Sequence, residues 1–269
     1  MYHTLKSVVF LCILSTVSTF ASAETFKSQR STFLFLKEVY SSMDLDDIIN
    51  THMMPNSIHH DKYRNYVQAI LLNDETLNAI SQIVFENKSL LIENPSLAGS
   101  LGSSWAMSTA MKGLTRLSDE DQRFLLELTL LQIKALDTNS CALMLASEIS
   151  DEELAPMGFQ ALESLPSNLV SAYLTTLQQA LFAEIRDNPM QRVLSTSEQE
   201  IANAAFEKAY IDALIDHIDT DNLITAATTP KLSSAPYICE NGKVLFESIL
   251  NIPGFTGSLA VRNLISQMY

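Results

Sequence analysis

Glycine is scarce in this chain: 7 residues in 269, roughly a third of the average share. Folds built from strands and tight turns spend glycine on those turns. No stretch sustains period-two alternation with β-branched residues either. These two absences argue against a sheet and predict an all-α protein, a compact bundle-like arrangement of about 9–11 helices. Positive charge is also short, with 17 Lys and Arg against 31 Asp and Glu and a net charge of −14. A surface of that sign disfavours nucleic acid and anionic membranes as partners. It is compatible with a basic protein partner.

Cysteine is nearly absent, with three in the chain. Cys12 lies within the N-terminal segment "MYHTLKSVVFLCILSTVSTFASAE". That segment has Lys6 in a short polar head, an apolar run from Val8 to about Phe20, and Ala21-Ser22-Ala23 at its end. It reads as a secretory signal peptide over residues 1–23, with cleavage between Ala23 and Glu24. The run is too short and too rich in Ser and Thr for a membrane anchor, so no integral membrane segment is expected after cleavage. Removing 23 residues from 269 leaves 246, with a net charge of −15 once Lys6 is gone. A chain of that length can bury roughly 70–75% of its unfolded surface without help from a staple.

Two cysteines then remain, Cys141 and Cys239, 98 positions apart (239 − 141). An even pair in an exported protein favours a disulfide over a metal site or a reactive thiol. Neither sequence neighbourhood offers a basic side chain that would activate a nucleophile, and Cys141 is followed by Ala142, Leu143 and Met144. Residues 24–269 therefore read as a single α-helical domain, with its C-terminal part, 231–269, tied back by the bridge.

What the sequence does contain is helix punctuation. Asn73, Asn94 before Pro95, Ser118, Ser150 and Ser195 each precede an apolar periodic run, several with acids in the first turn. Gly113 reads as a helix terminator. The run "LSDEDQRFLLELTLLQIKAL" (117–136) is apolar around most of its circumference and predicts a buried central helix with a polar strip at Arg123, Glu127 and Lys134. The segment 57–72 is expected to face inward through Ile58, Tyr66, Ala69 and Ile70. "LSDEDQRF" and "LSTSEQEI" share Leu-Ser-x-x-acid-Gln 77 residues apart (194 − 117), which reads as shared capping chemistry rather than duplication.

Chemistry is harder to find. His52, His59 and His60 cluster near Asp61, but none are spaced to share one helical face, so a solvated surface is expected rather than a metal site. Asp219-x-Asp221 begins like a calcium loop, yet Leu223, Ile224 and Pro230 stand where that loop requires an oxygen ligand, a glycine and a glutamate. Gly99, Gly102 and the serines before Trp105 form neither a nucleophile elbow nor a phosphate loop, and suggest close helix packing. Glu127, mid-helix among apolar residues, is the one carboxylate whose burial would make it a general acid. Its alternative is an ordinary surface pair with Arg123 one turn back. No catalytic residue, cofactor or metal is expected.

Three function classes follow. The favoured one is an exported, periplasmic, non-catalytic helical protein that binds another protein, in its sharpest form an immunity or inhibitor protein against an envelope-targeting toxin. The others are a secreted virulence or host-interaction factor and a carboxylate-dependent envelope hydrolase of unfamiliar type.

Overall fold

A computed structural model describes residues 27–46, 49, 57–94, 97–146 and 151–267. Among them the chain forms thirteen α-helices, one 3-10 turn at Pro230–Leu232 and no strand. In order the helices are α1 (Gln29–Ser42), α2 (His60–Leu71), α3 (Asp74–Glu86), α4 (Lys88–Glu93), α5 (Leu97–Leu114), α6 (Asp119–Ala135) and α7 (Thr138–Ala146). Then come α8 (Asp151–Glu163), α9 (Ser167–Ile185), α10 (Thr196–Ile215), α11 (Thr220–Thr228), α12 (Ala235–Leu250) and α13 (Gly254–Ser266). The all-α expectation holds, with more helices than foreseen. The short α4 is the clearest addition: no Gly or Pro separates it from α3, and Asn87 both closes one helix and opens the next. No helix among the described residues is long and apolar enough to cross a membrane. The signal peptide, the cleavage site at Ala23 and Glu24, His52, Pro95 and the Ser150 cap lie outside the described residues.

The caps form as their chemistry requires. Asn73 accepts from the backbone N–H groups of Glu75 and Thr76. Ser118 accepts from the Asp121 N–H at 3.0 Å. Ser195 and Glu198 satisfy each other reciprocally, the Ser195 N–H donating to the Glu198 carboxylate at 2.9 Å. That bond, with the Ser195 hydroxyl and then Arg192, holds the Glu198 carboxyl below the usual carboxylate range. The shared Leu-Ser-x-x-acid-Gln pattern extends one step further than capping. Gln122 Nε2 donates to the Leu117 carbonyl at 3.4 Å, and Gln199 Nε2 donates to the Leu194 carbonyl at 3.2 Å. In both cases the buried leucine precedes the cap and anchors the entering chain against the core.

A continuous buried cluster runs from Phe33 in α1 to Ile265 in α13. Helix α6 lies within it, burying Leu125, Leu126, Leu128 and Ile133 together with Gln122, Thr129 and Gln132. It packs against α12, α13, α9 and α8. Its far flank is formed by α9, which crosses α5 closely. Gly113 marks that crossing and corrects the expectation of a terminator. It sits inside α5, and a Cβ there would stand 1.8 Å from the Ala180 carbonyl oxygen of α9. Helix α2 also departs from the expected phase. Ile58 is 77% exposed and Ala69 is exposed, while Tyr63, Tyr66, Val67, Ile70 and Leu71 turn inward. The helix starts at His60, after Ile58, so Ile58 lies outside its periodicity.

Cys141 in α7 and Cys239 in α12 form a disulfide, with Cα atoms 5.4 Å apart. Both cysteines are buried. One turn along α12, Gly242 lets Leu145 of α7 approach: an added Cβ would meet the Leu145 side chain at 2.3 Å. The pair thus fastens the C-terminal helices to the central ones.

Two stability predictions follow from these contacts. Gly113→Ala drives a methyl into a backbone carbonyl and is expected to cost at least about 1–3 kcal/mol in urea unfolding, the range for overpacked cores. Replacing both cysteines with alanine is expected to lower stability by up to ~4–5 kcal/mol, because a loop of this length is no longer closed in the unfolded chain.

Candidate functional site

The residues with chemical promise in the sequence are dispersed and mostly committed. Glu127 is half exposed on α6, and its carboxylate lies 3.3 Å from Arg123. It is the ordinary i to i+4 pair. His60 lies 3.9 Å from Asp46, and Asp61 is exposed. His59 overturns the expectation of a solvated cluster. It is 1% exposed, its Nε2 bonds the Leu165 carbonyl at 3.2 Å, and its ring stands edge-on to Tyr63, with centroids 6.5 Å apart. A bond to a carbonyl makes Nε2 the donor. Beside it, Glu163 accepts from the Ser57 hydroxyl and from the Ile58 N–H at 3.1 Å. This arrangement pins the start of α2 to the end of α8. The carboxylate holds the serine, and the imidazole holds the Leu165 carbonyl.

The acidic stretch after α10 is likewise structural. Asp219 precedes α11, but its side chain makes no capping bond. Its N–H donates instead to His217 Nδ1 at 3.1 Å, and His217 Nε2 lies 3.7 Å from Glu240 of α12. Among the described residues no group of three His, Cys, Asp or Glu side chains is placed to hold a metal ion. Trp105 is half-buried, packed on Ile80, Ile83, Val84, Leu91 and Leu101 beside Gly102. Its other side borders an open groove of about 610 Å³ with Glu86, Lys112 and Glu184. Glu184 is already engaged by Arg116 at 2.6 Å.

Three arginines organise the opposite end. Arg262 of α13 is 5% exposed, donates to the Thr115 and Leu117 carbonyls at 2.9 and 3.1 Å, and pairs with Asp119. Arg116 joins Glu184, Asp187 and the Pro189 carbonyl. Arg192 bridges Asp119 at 3.4 Å and Glu198 at 3.2 Å, linking the starts of α6 and α10.

What remains exposed and unexplained is the outer side of α10. The helix packs on α13 and α12 through Ala202, Ala205, Phe206, Ala209, Tyr210, Ala213 and Leu214. Tyr210 donates to Asn241, and Asn263 donates to Asn203 at 2.7 Å, locking the inner face. On the opposite side Ile201, Ile211 and Ile215 are 50%, 45% and 64% exposed, and Ile218 just beyond the helix is 96% exposed. Monomer surfaces carry single apolar residues routinely, but here several share one side of a helix. Beside this side runs an open groove of about 460 Å³ between α10 and α12, reached by Lys208, Asp212, His217, Val244 and Glu247. Reading the sequence for a single apolar stripe missed this surface. The signal was present: "IANAAFEKAYIDALI" carries apolar residues on both faces of a helix.

The contrast between Arg262 and Glu127 is testable by denaturation. Arg262→Ala removes the donor to the Thr115 carbonyl and leaves the Leu117 carbonyl to Gln122 and Asp119 to Arg192, both at 3.4 Å, and is expected to cost about 1–3 kcal/mol. Glu127→Gln is expected to change stability by less than about 0.5 kcal/mol.

No known protein family matches the chain, and neither the curated proteins nor the solved structures include one similar to it, so its function must be argued from its own side chains.

Proposed function

We propose that this chain is an exported, non-catalytic helical protein that acts by binding another protein, with the outer face of α10 as its contact surface. The observation that carries the reading is the exposure of Ile201, Ile211, Ile215 and Ile218 on a helix whose other face packs on α12 and α13. Exposed isoleucines at these fractions lose apolar contact with water only when something covers them. The disulfide and the arginine-rich turn supply a rigid base beneath that helix, which lowers the ordering cost of binding.

The address rests on the N-terminal segment, 1–23, and is consistent with a buried disulfide. In its sharpest form the reading is a periplasmic immunity or inhibitor protein that covers the working surface of an envelope-directed toxin. The half-exposed, paired state of Glu127 removes the motive for a hydrolase built on that residue.

The test uses the full-length chain, expressed with its own N-terminal segment, recovered after export and immobilised beside an Ile211→Glu/Ile215→Glu variant of matching circular dichroism. The expected result is one stoichiometric envelope protein retained by the parent chain and lost from the variant. Equal retention on both, or no retained protein on the parent chain, overturns the proposal.

A further inference from the structure

We infer that the partner meets this surface with a basic amphipathic helix, laid along α10. The inference rests on the protein-binding reading above and specifies the chemistry of the other side. Its first support is spacing. Ile201, Ala204, Lys208, Ile211 and Ile215 follow one another at intervals of 3, 4, 3 and 4 residues. That is the seam of a helix that packs against a second helix, because 3.5 residues on average keep one stripe facing the partner. The seam runs over residues 201–215, about 21 Å at the helical rise, or four turns of a matching helix. The inner face follows the same spacing at Ala202, Phe206, Ala209 and Ala213, but there α12 and α13 are already packed, so the outer stripe is the one left open. An extended strand has no use for a helical stripe, since its side chains repeat every second residue.

The second support is charge. Glu200 and Glu207 lie along one edge of the seam, and Asp212 and Asp216 along the other, all exposed. The cation within the seam, Lys208, is paired with Asp212. The edges of the stripe are therefore acidic on both sides, on a chain whose net charge is −14. Flanking positions of a helix pair set partner choice through opposite charges. A second copy of this chain would set these carboxylates against carboxylates. An anionic bilayer would meet the same repulsion. A helix with apolar residues on its seam and Lys or Arg beside them satisfies both the isoleucines and the acids. Lys208 then lies over the neighbouring apolar stem with its head directed to Asp212, the usual arrangement for a long cationic side chain beside a seam.

The probe is a synthetic 21-residue amphipathic peptide with leucine on the seam and lysine elsewhere, labelled for fluorescence anisotropy against the full-length exported chain. Two controls carry the same seam with glutamate for lysine, or the same composition with the seam scrambled. The expected result is micromolar binding of the basic helix, at least tenfold weaker with Ile211→Glu/Ile215→Glu. Binding of the acidic and scrambled peptides is expected to be undetectable. A second variant, Glu200→Gln with Glu207→Gln, leaves the apolar seam intact and is expected to flatten the salt dependence of binding. Equal binding of the basic and scrambled peptides, or no effect of either variant, overturns the inference. So does a dimer of the chain in sedimentation that Ile215→Glu dissolves, or adsorption to phosphatidylcholine vesicles through the same residues. If envelope capture succeeds and the basic helix does not bind, the inference falls while the protein-binding reading stands. If neither binds, both fall.

Discussion

The turn between α5 and α6 is the point from which the remaining packing is set. Gly113 lets α9 cross α5 at backbone contact, which no side chain at that position would allow. Immediately after it, the Thr115 carbonyl needs a donor, and the Leu117 carbonyl otherwise has only Gln122 at 3.4 Å. Arg262 supplies donors to both and pairs with Asp119 in the first turn of α6. Gln122 donates to the Leu114 carbonyl from within α6 at 2.8 Å. A residue 147 positions away in sequence from Thr115 thus completes a local turn. Buried carbonyls tolerate no vacancy without a cost of about 1–3 kcal/mol each. The C-terminal helix is therefore part of the central scaffold.

That dependence explains how α10 keeps an apolar outer face. Its inner face is built from Ala202, Phe206, Ala209, Tyr210, Ala213 and Leu214, which pack towards α12 and α13. Polar bonds from Tyr210 and Asn203 fix its rotation about its own axis. A helix free to roll would turn its isoleucines inward, since burying a large aliphatic side chain gains about 1.5–3 kcal/mol over leaving it exposed. Here the hydrogen bonds of Tyr210 and Asn203 hold the register. The disulfide adds a covalent tie from α7 to α12, the helix on which α10 rests. The larger apolar residues consequently remain available to a partner.

Much of this was legible in the chain itself. Low glycine, capping serines and 3.6-residue periodicity dictated an all-α architecture, and the caps at Asn73, Ser118 and Ser195 depend only on residues within one turn. The central burial of α6 was readable because apolar residues encircle it. A cysteine pair in a chain whose first residues read as an export signal favoured a bridge before any geometry was known. Glu127 was readable as a surface ion pair because its partner lies four residues away on the same helix.

Tertiary structure alone decided the rest, and the reason is the same in each case: the deciding partner is remote in sequence. Gly113 has the local signature of a terminator, and only the approach of Ala180 makes it a crossing point. His59 looks like one of a solvated pair, and only the Leu165 carbonyl and Tyr63 bury it. The two faces of α10 are both apolar in sequence. Which one turns to solvent was settled by the packing of α12 and α13 on the other face and by the bonds of Tyr210 and Asn203, and that choice left exposed the surface on which the proposed function rests.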